Sequence, residues 1–177
     1  MRRGRTPAVS AGLTMALALA ACGGGDEAAR KDEEPVVVAT RSDDDAPEWL
    51  SHTDATDPAR WLASREAGQA VPETDPRTQR LRRGLTQAKG AFIEDPRMIA
   101  NRTVQLSQML AEAGKPEGYA DLVDGLAGIA AASHRRQLYG EMCQHYFNTR
   151  QQGADKTQAL ARLAERYGAQ DRGRAGP

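Results

Sequence analysis

The chain has 177 residues, with 24 Lys and Arg balanced by 24 Asp and Glu, and only 5% of it is aromatic. That length suits one domain of ordinary size with room for appended segments. Two cysteines are too few for a disulfide scaffold. No basic run is interleaved with aromatic stacking residues, which speaks against nucleic acid as a partner.

The N-terminus carries the strongest signal. Arg2, Arg3 and Arg5 form a positive cluster, and Ala8 to Ala21 follows without a charge, with Leu13, Met15, Leu17 and Leu19 at its centre. This run is short of the roughly 20 apolar residues that span a bilayer as a helix. Its order is that of a secretory signal peptide. It ends in Leu19-Ala20-Ala21-Cys22, which resembles the lipobox of bacterial lipoproteins. The resemblance implies that residues 1–21 are removed. It also implies that Cys22 becomes the lipid-bearing first residue, joined to a diacylglyceryl group by a thioether. Two or three acyl chains hold a protein on a membrane stably where one does not. Gly23, not aspartate, follows the cysteine. By the same resemblance this favours the periplasmic face of the outer membrane in a Gram-negative cell.

Residues 22–55 are expected to be a disordered acidic tether. Gly23, Gly24 and Gly25 open it, followed by Asp26-Glu27, Asp32-Glu33-Glu34 and Asp43-Asp44-Asp45. From 22 to 57 there are 11 acidic and 3 basic residues, a net charge of 3 − 11 = −8. Apart from Val36 to Val38, apolar residues are scarce, and such a composition cannot offset the entropy of ordering the chain. Repulsion from anionic headgroups is expected to keep the tether extended. The remainder, 58–177, has 18 basic and 13 acidic residues, a net of +5, so the chain from Cys22 carries −8 + 5 = −3.

Residues 56–169 are expected to fold as one all-α domain, a small compact bundle or irregular array of about five helices. Asp57-Pro58, Asp75-Pro76 and Asp95-Pro96 each place an N-cap acceptor before a proline suited to a first helical turn. Lys115-Pro116-Glu117 marks a further start, and Asp155 another. Gly68, Gly114, Gly153 and Gly168 mark ends. Between these marks the apolar spacing is helical. Trp61 and Leu62 in the short first segment are expected to form a lid at one end. The first long stripe is Leu81, Leu85, Ala88 and Phe92. The next is Ile99, Thr103, Leu106, Leu110 and Ala113. A third is Tyr119, Leu122, Val123, Leu126 and Ile129 or Ala130, where Gly118, Gly125 and Gly128 mark close packing, a break or a movable element. The fourth is Leu138, Met142 and Tyr146, flanked by Tyr139, Cys143 and Phe147. The fifth is Leu160, Leu163, Ala164 and Tyr167. Residues 170–177 are expected to be a disordered tail.

The fourth stripe carries the densest chemistry. Cys143 among aromatic residues is expected to be a buried thiol acting as a small hydrophobe. His134, Glu141 and His145, separated by 7 and 4 residues, would share one face of a continuous helix. They are the weak candidates for a metal site, since a divalent cation needs a convergent ligand shell. Arg135, Arg136, Gln144, His145, Tyr146, Asn148 and Arg150 are the candidate binding surface. The polar residues Arg97, Asn101, Arg102, Gln105 and Gln108 are expected to be solvated helix polarity rather than an internal network. No catalytic elbow, phosphate loop or zinc helix is present. No family is recognised for residues 56–169.

The expectation is thus a non-enzymatic accessory lipoprotein without a cofactor. It would be held on a membrane through Cys22 and bind an envelope protein through its helical domain. The alternatives are a periplasmic metal-binding protein or enzyme using the His134, Glu141 and His145 face, and an immunity or inhibitor lipoprotein.

Overall fold

The Asp-Pro pairs start helices as local chemistry dictates. The computed structural model describes residues 47–133 and 135–174, with side chains to Ala169. Helices α1 (Pro58–Ala67), α2 (Pro76–Ala91) and α3 (Pro96–Glu112) begin at Asp57, Asp75 and Asp95. Asp57 accepts from the Ala59 N–H at 3.2 Å, Asp75 from Arg77 at 2.8 Å, and Asp95 from Arg97 and Met98 at 2.8 and 3.0 Å. Each bond satisfies a donor that the first turn leaves without a helical partner. Three more helices follow, α4 (Tyr119–Ala131), α5 (Tyr139–Gln151) and α6 (Lys156–Arg174). Asp155 opens α6 reciprocally: its carboxylate accepts from Gln158 N–H at 2.8 Å, and Gln158 Oε1 accepts from Asp155 N–H at 3.2 Å.

Two starts are capped from elsewhere. The Tyr119 N–H of α4 donates to Glu66 Oε1, on α1, at 3.1 Å. The Tyr139 and Gly140 N–H groups of α5 donate to the two oxygens of Glu94, at 2.9 and 3.0 Å. A carboxylate there also meets the positive end of the helix dipole.

The domain is all-α, with no strand among the described residues beyond one isolated parallel bridge between Phe92 and Gln137. Helix α3 touches α1, α2, α4 and α5, and α4 touches α2, α3, α5 and α6. These two helices are therefore the centre. Leu81, Leu85, Ala88, Phe92, Ile99, Leu106, Leu110, Leu122, Val123, Leu126, Met142 and Leu163 are buried, as their spacing requires. Trp61 and Leu62 are also fully buried, so α1 is part of the core and not a lid. No helix of the described residues is long and apolar enough to cross a membrane.

Glycine lets helices approach. A Cβ on Gly84 of α2 would lie 3.1 Å from Val123 Cγ1 and 2.7 Å from Asp124 Oδ1 of α4. One on Gly125 would lie 3.2 Å from Leu160 Cδ2 of α6, and α4 runs through Gly125 without a break. Close packing is the role Gly125 serves. On the outside, Arg80 bridges Asp121 and Asp124 at 2.7 and 2.9 Å, and Lys156 reaches Asp121 at 2.7 Å. The Lys156 bond, then Arg80, lowers the Asp121 pKa. These pairs are half exposed and tie α2, α4 and α6 together weakly.

Three expectations are corrected. Gly68, Gly114 and Gly153 do end helices in the left-handed conformation, but Gly168 does not, and α6 continues through it to Arg174. The alanine and long polar side chains after Gly168 favour a helix. The tail expected from 170 is therefore helical as far as 174. Leu138 is not in the fourth stripe: it is the N-cap of α5, 47% exposed, and Tyr139 takes the inward position. The cause is Glu94, whose two bonds set the start of α5 at Tyr139.

The third correction concerns residues 47–55, expected in the tether. Leu50 is 3% exposed, and Asn101 of α3 grips its backbone, accepting from Leu50 N–H at 3.0 Å and donating to Leu50 O at 2.9 Å. Trp61 Nε1 donates to Pro47 O at 2.7 Å, and Arg97 donates to His52 O at 2.7 Å and to Asp54 O at 3.2 Å. Asn101 is thus an internal clamp, which Arg97 extends nearer the surface, where solvated polarity was expected; Arg102, Gln105 and Gln108 are exposed, as expected. The remainder of the tether, the signal segment and Cys22 lie outside the described residues.

Replacing Asn101 with leucine should cost about 2 kcal/mol, because it strands a buried backbone donor and acceptor. Thermal melting measures the loss. Hydrogen exchange at the Leu50 amide should accelerate more than exchange in α3 itself, and unchanged protection at Leu50 would contradict the clamp.

Candidate functional site

Helix α5 organises the polar chemistry of the domain. Its inner face holds Tyr139, Met142, Cys143 and Tyr146, and its last turn carries Arg150. Tyr139, His145, Tyr146 and Arg150 each meet a partner from another element.

At its N-terminal end, Tyr139 stacks edge-on against Phe92, ring centroids 4.8 Å apart. Its hydroxyl lies 2.7 Å from Thr103 Oγ1, which itself donates to Ile99 O at 2.8 Å. Thr103 has one proton, so Tyr139 must be the donor of the shared bond. Burial pushes the Tyr139 hydroxyl well up.

One turn on, Cys143 is 7% exposed, and burial pushes its thiol up to about 12. It stays protonated at neutral pH and lacks the thiolate character a nucleophile needs. It lines a small cavity of about 90 Å³ with Arg102, Gln105, Leu106, Met109, Gly140 and Gln144.

His145 is half-buried, and its Nδ1 lies 2.7 Å from the hydroxyl of buried Tyr167 on α6. Burial, with the nearby Glu141 charge, pushes the Tyr167 hydroxyl up to about 12. Glu141 itself is exposed. His134 lies outside the described residues, and α5 begins only at Tyr139. One continuous helix through 134, 141 and 145 therefore does not exist. Among the described residues, no three His, Cys, Asp or Glu side chains come together as a metal site.

At the far end is a buried ionic cluster. Glu117, in the connection before α4, is 6% exposed at its side chain, and Arg150 is 11% exposed. Arg150 Nε donates to Glu117 Oε1 at 2.9 Å and its terminal nitrogen donates to Ala154 O at 2.7 Å. The Tyr146 hydroxyl donates to both Glu117 oxygens, at 3.0 and 2.8 Å. Burial, then the Glu117 bond, pushes the Tyr146 hydroxyl well up. Ser107 of α3 donates to Glu117 O at 2.7 Å. Every strong group in the cluster is engaged within the fold.

The candidate binding surface is thus divided. Tyr146 and Arg150 face inward. Gln144 and Asn148 are exposed on α5 and bonded to each other at 2.9 Å. Arg135 and Arg136 precede the helix, at its other end, and line an open depression of about 360 Å³ with Gln87, Gly90, Ala91, Ala130, Ala131 and Ser133. Sequence reasoning did not single out Glu94 and took Glu117 for a helix start; both act on groups far along the chain. The signal available was a glutamate beside a helix-start motif, Glu94 before Asp95-Pro96 and Glu117 after Pro116, without a local role.

A family model, MoxZ, matches residues 59–168, which span α1 to most of α6, and the chain belongs to the MoxZ family. No curated protein and no solved structure matches it.

Two outcomes follow from the cluster and the buried hydroxyls and thiol. Glu117→Leu should lower stability to urea by about 3 kcal/mol, since it leaves Arg150 buried without its counter-charge. The double change with Arg150→Met should lose less than the two single changes summed; strict additivity would show that the pair is not coupled.

Alkaline pH should also destabilise the fold. Cys143 and Tyr167 have ordinary values of 9.0 and 10.0 and sit near 12 when folded. Above about 9 the unfolded chain loses protons that the folded chain keeps, so stability falls as pH rises toward 12. The urea midpoint should decline across that range, and Cys143→Ala should remove its earliest part. A flat midpoint would contradict the burial of these groups.

Proposed function

We propose that this chain is a bacterial lipoprotein whose MoxZ-family domain is a non-enzymatic accessory module. Acyl chains on Cys22 hold it at the cell envelope, on the periplasmic face of the outer membrane where the cell has one, and the domain binds an envelope protein. The observation that carries this reading is the run Leu19-Ala20-Ala21-Cys22 behind a basic cluster and an uncharged apolar stretch. The family match covers the helical domain and supports an accessory role. The geometry of α5 supports it as well. Tyr146, Arg150, Glu117 and His145, the groups best suited to proton or ion chemistry, are committed to bonds that hold helices together.

The anchoring is tested by metabolic labelling with a fatty acid and by membrane fractionation, comparing wild type with Cys22→Ser. Wild type should take up label and sediment with membranes, and Cys22→Ser should do neither. Equal behaviour of the two would overturn the anchoring. Affinity capture from membranes followed by mass spectrometry tests the accessory role. One partner recovered reproducibly supports it, and one stoichiometric metal ion per purified chain would overturn it in favour of a metal protein.

A further inference from the structure

We propose that the groove on α1 and α3 that holds residues 47–55 is a peptide-binding site, filled here by the chain's own segment. Its ligand in trans is an extended peptide of a partner protein, carrying a leucine. The domain grips the segment through its main chain. Trp61 Nε1 donates to Pro47 O at 2.7 Å and Arg65 to Glu48 O at 3.3 Å. Asn101 takes both main-chain groups of Leu50, and Arg97 donates to the carbonyls of His52 and Asp54. Among the described residues, every hydrogen bond between these helices and the segment ends on the segment's main chain.

One side chain is selected. Leu50 is 3% exposed and joins the hydrophobic core. Trp49, the largest side chain of the segment, is left 53% exposed, and Glu48, His52 and Thr53 are exposed beside it. Main-chain bonds that give affinity, with a pocket for one residue that gives specificity, are a recurrent way of recognising extended peptides. This groove asks for an aliphatic side chain at one position and tolerates others around it.

The occupant is exchangeable. Nine residues, 47 to 55, are ordered for one buried side chain and six hydrogen bonds to the helices. The entropy of ordering them opposes that gain, so the segment is held marginally and opens locally. Release needs rotation only at Ala55 and Thr56, because Asp57 is held separately, capping α1 and pairing with Arg82. Trp61, Arg65, Arg97 and Asn101 sit on helices, so the donors stay in place without the segment. The family match begins at Ala59, so these four residues lie inside it and the segment lies outside.

The inference deepens the accessory reading and rests on it for the partner's place in the cell. Its test needs neither anchor nor partner. A fluorescent peptide of residues 47–55 is titrated by anisotropy into the chain from residue 22 carrying Cys22→Ser, and into the same chain with Leu50→Asp, which opens the groove. The opened chain should bind the peptide, and the chain with its own segment in place should bind it about tenfold more weakly. Asn101→Leu in the opened chain should lower affinity about tenfold through two lost main-chain bonds, with helical circular dichroism unchanged. The same peptide with Leu50→Asp should not bind. If the Leu50→Asp chain unfolds, replacing residues 47–55 with glycine and serine at equal length gives a second opened chain. No binding to an opened, folded chain, equal binding with the segment in place, or affinity unmoved by Asn101→Leu would overturn the proposal. A dimer that Leu50→Asp dissolves would also overturn it, making the segment of a second copy the occupant. Peptide binding that holds while membrane capture yields no partner supports the groove and counts against the accessory role alone.

Discussion

The Glu117 carboxylate is the group on which the arrangement of the second half of the domain depends. It joins the connection into α4 to Tyr146 and Arg150 on α5, and through Arg150 to the turn before α6, while the backbone carbonyl of the same residue accepts from Ser107 on α3. Burying a carboxylate and a guanidinium costs several kcal/mol each before they attract one another. The arrangement persists because each is given further partners: the Tyr146 hydroxyl on one side, the Ala154 carbonyl on the other. Such a cluster tolerates little displacement. A slide of α5 by one turn would strand both charges, whereas an aliphatic seam would repack. Its contribution is therefore chiefly to register, and that register in turn places Cys143 and His145 along α5.

The same device recurs at lower cost at two helix starts. Glu66 and Glu94 each close the first turn of a helix to which they do not belong, α4 and α5 respectively. A local cap fixes where a helix begins. A cap from another element also fixes what the helix lies against. Together with Asn101 gripping Leu50, these contacts explain why the domain has polar residues inside without a pocket of converging reactive groups. Its buried polarity is used between elements.

The division between what was legible in the sequence and what was not follows from the range of the interactions. Asp57, Asp75, Asp95 and Asp155 cap within a few residues of themselves, so the starts of α1, α2, α3 and α6 could be read directly. The apolar stripes follow from helix period alone, and the all-α class with them. The start of α5 depends on Glu94, some 45 positions away. Without it, the spacing of His134, Glu141 and His145 looked like a helix face, and Leu138 like a core residue. Asn101 was misread for the same reason: its partner is the backbone of Leu50, in a stretch whose composition argued for disorder. Composition averages over a segment, and one leucine with a matched amide was enough to dock part of it. The family itself was not legible, since no short motif within 56–169 stands for it.

Docking of residues 47–55 changes what any anchor at Cys22 could do. The span between Cys22 and the docked residues is the 47 − 22 = 25 residue steps up to Pro47. Covalent geometry limits such a span to about 85 Å when fully extended. On the proposed anchoring, the domain stays within that reach of the bilayer. Electrostatics then acts in opposite senses on the two parts: residues 22–46 carry 3 − 8 = −5 and residues 47–177 carry 18 − 16 = +2. An acidic surface repels the first and attracts the second.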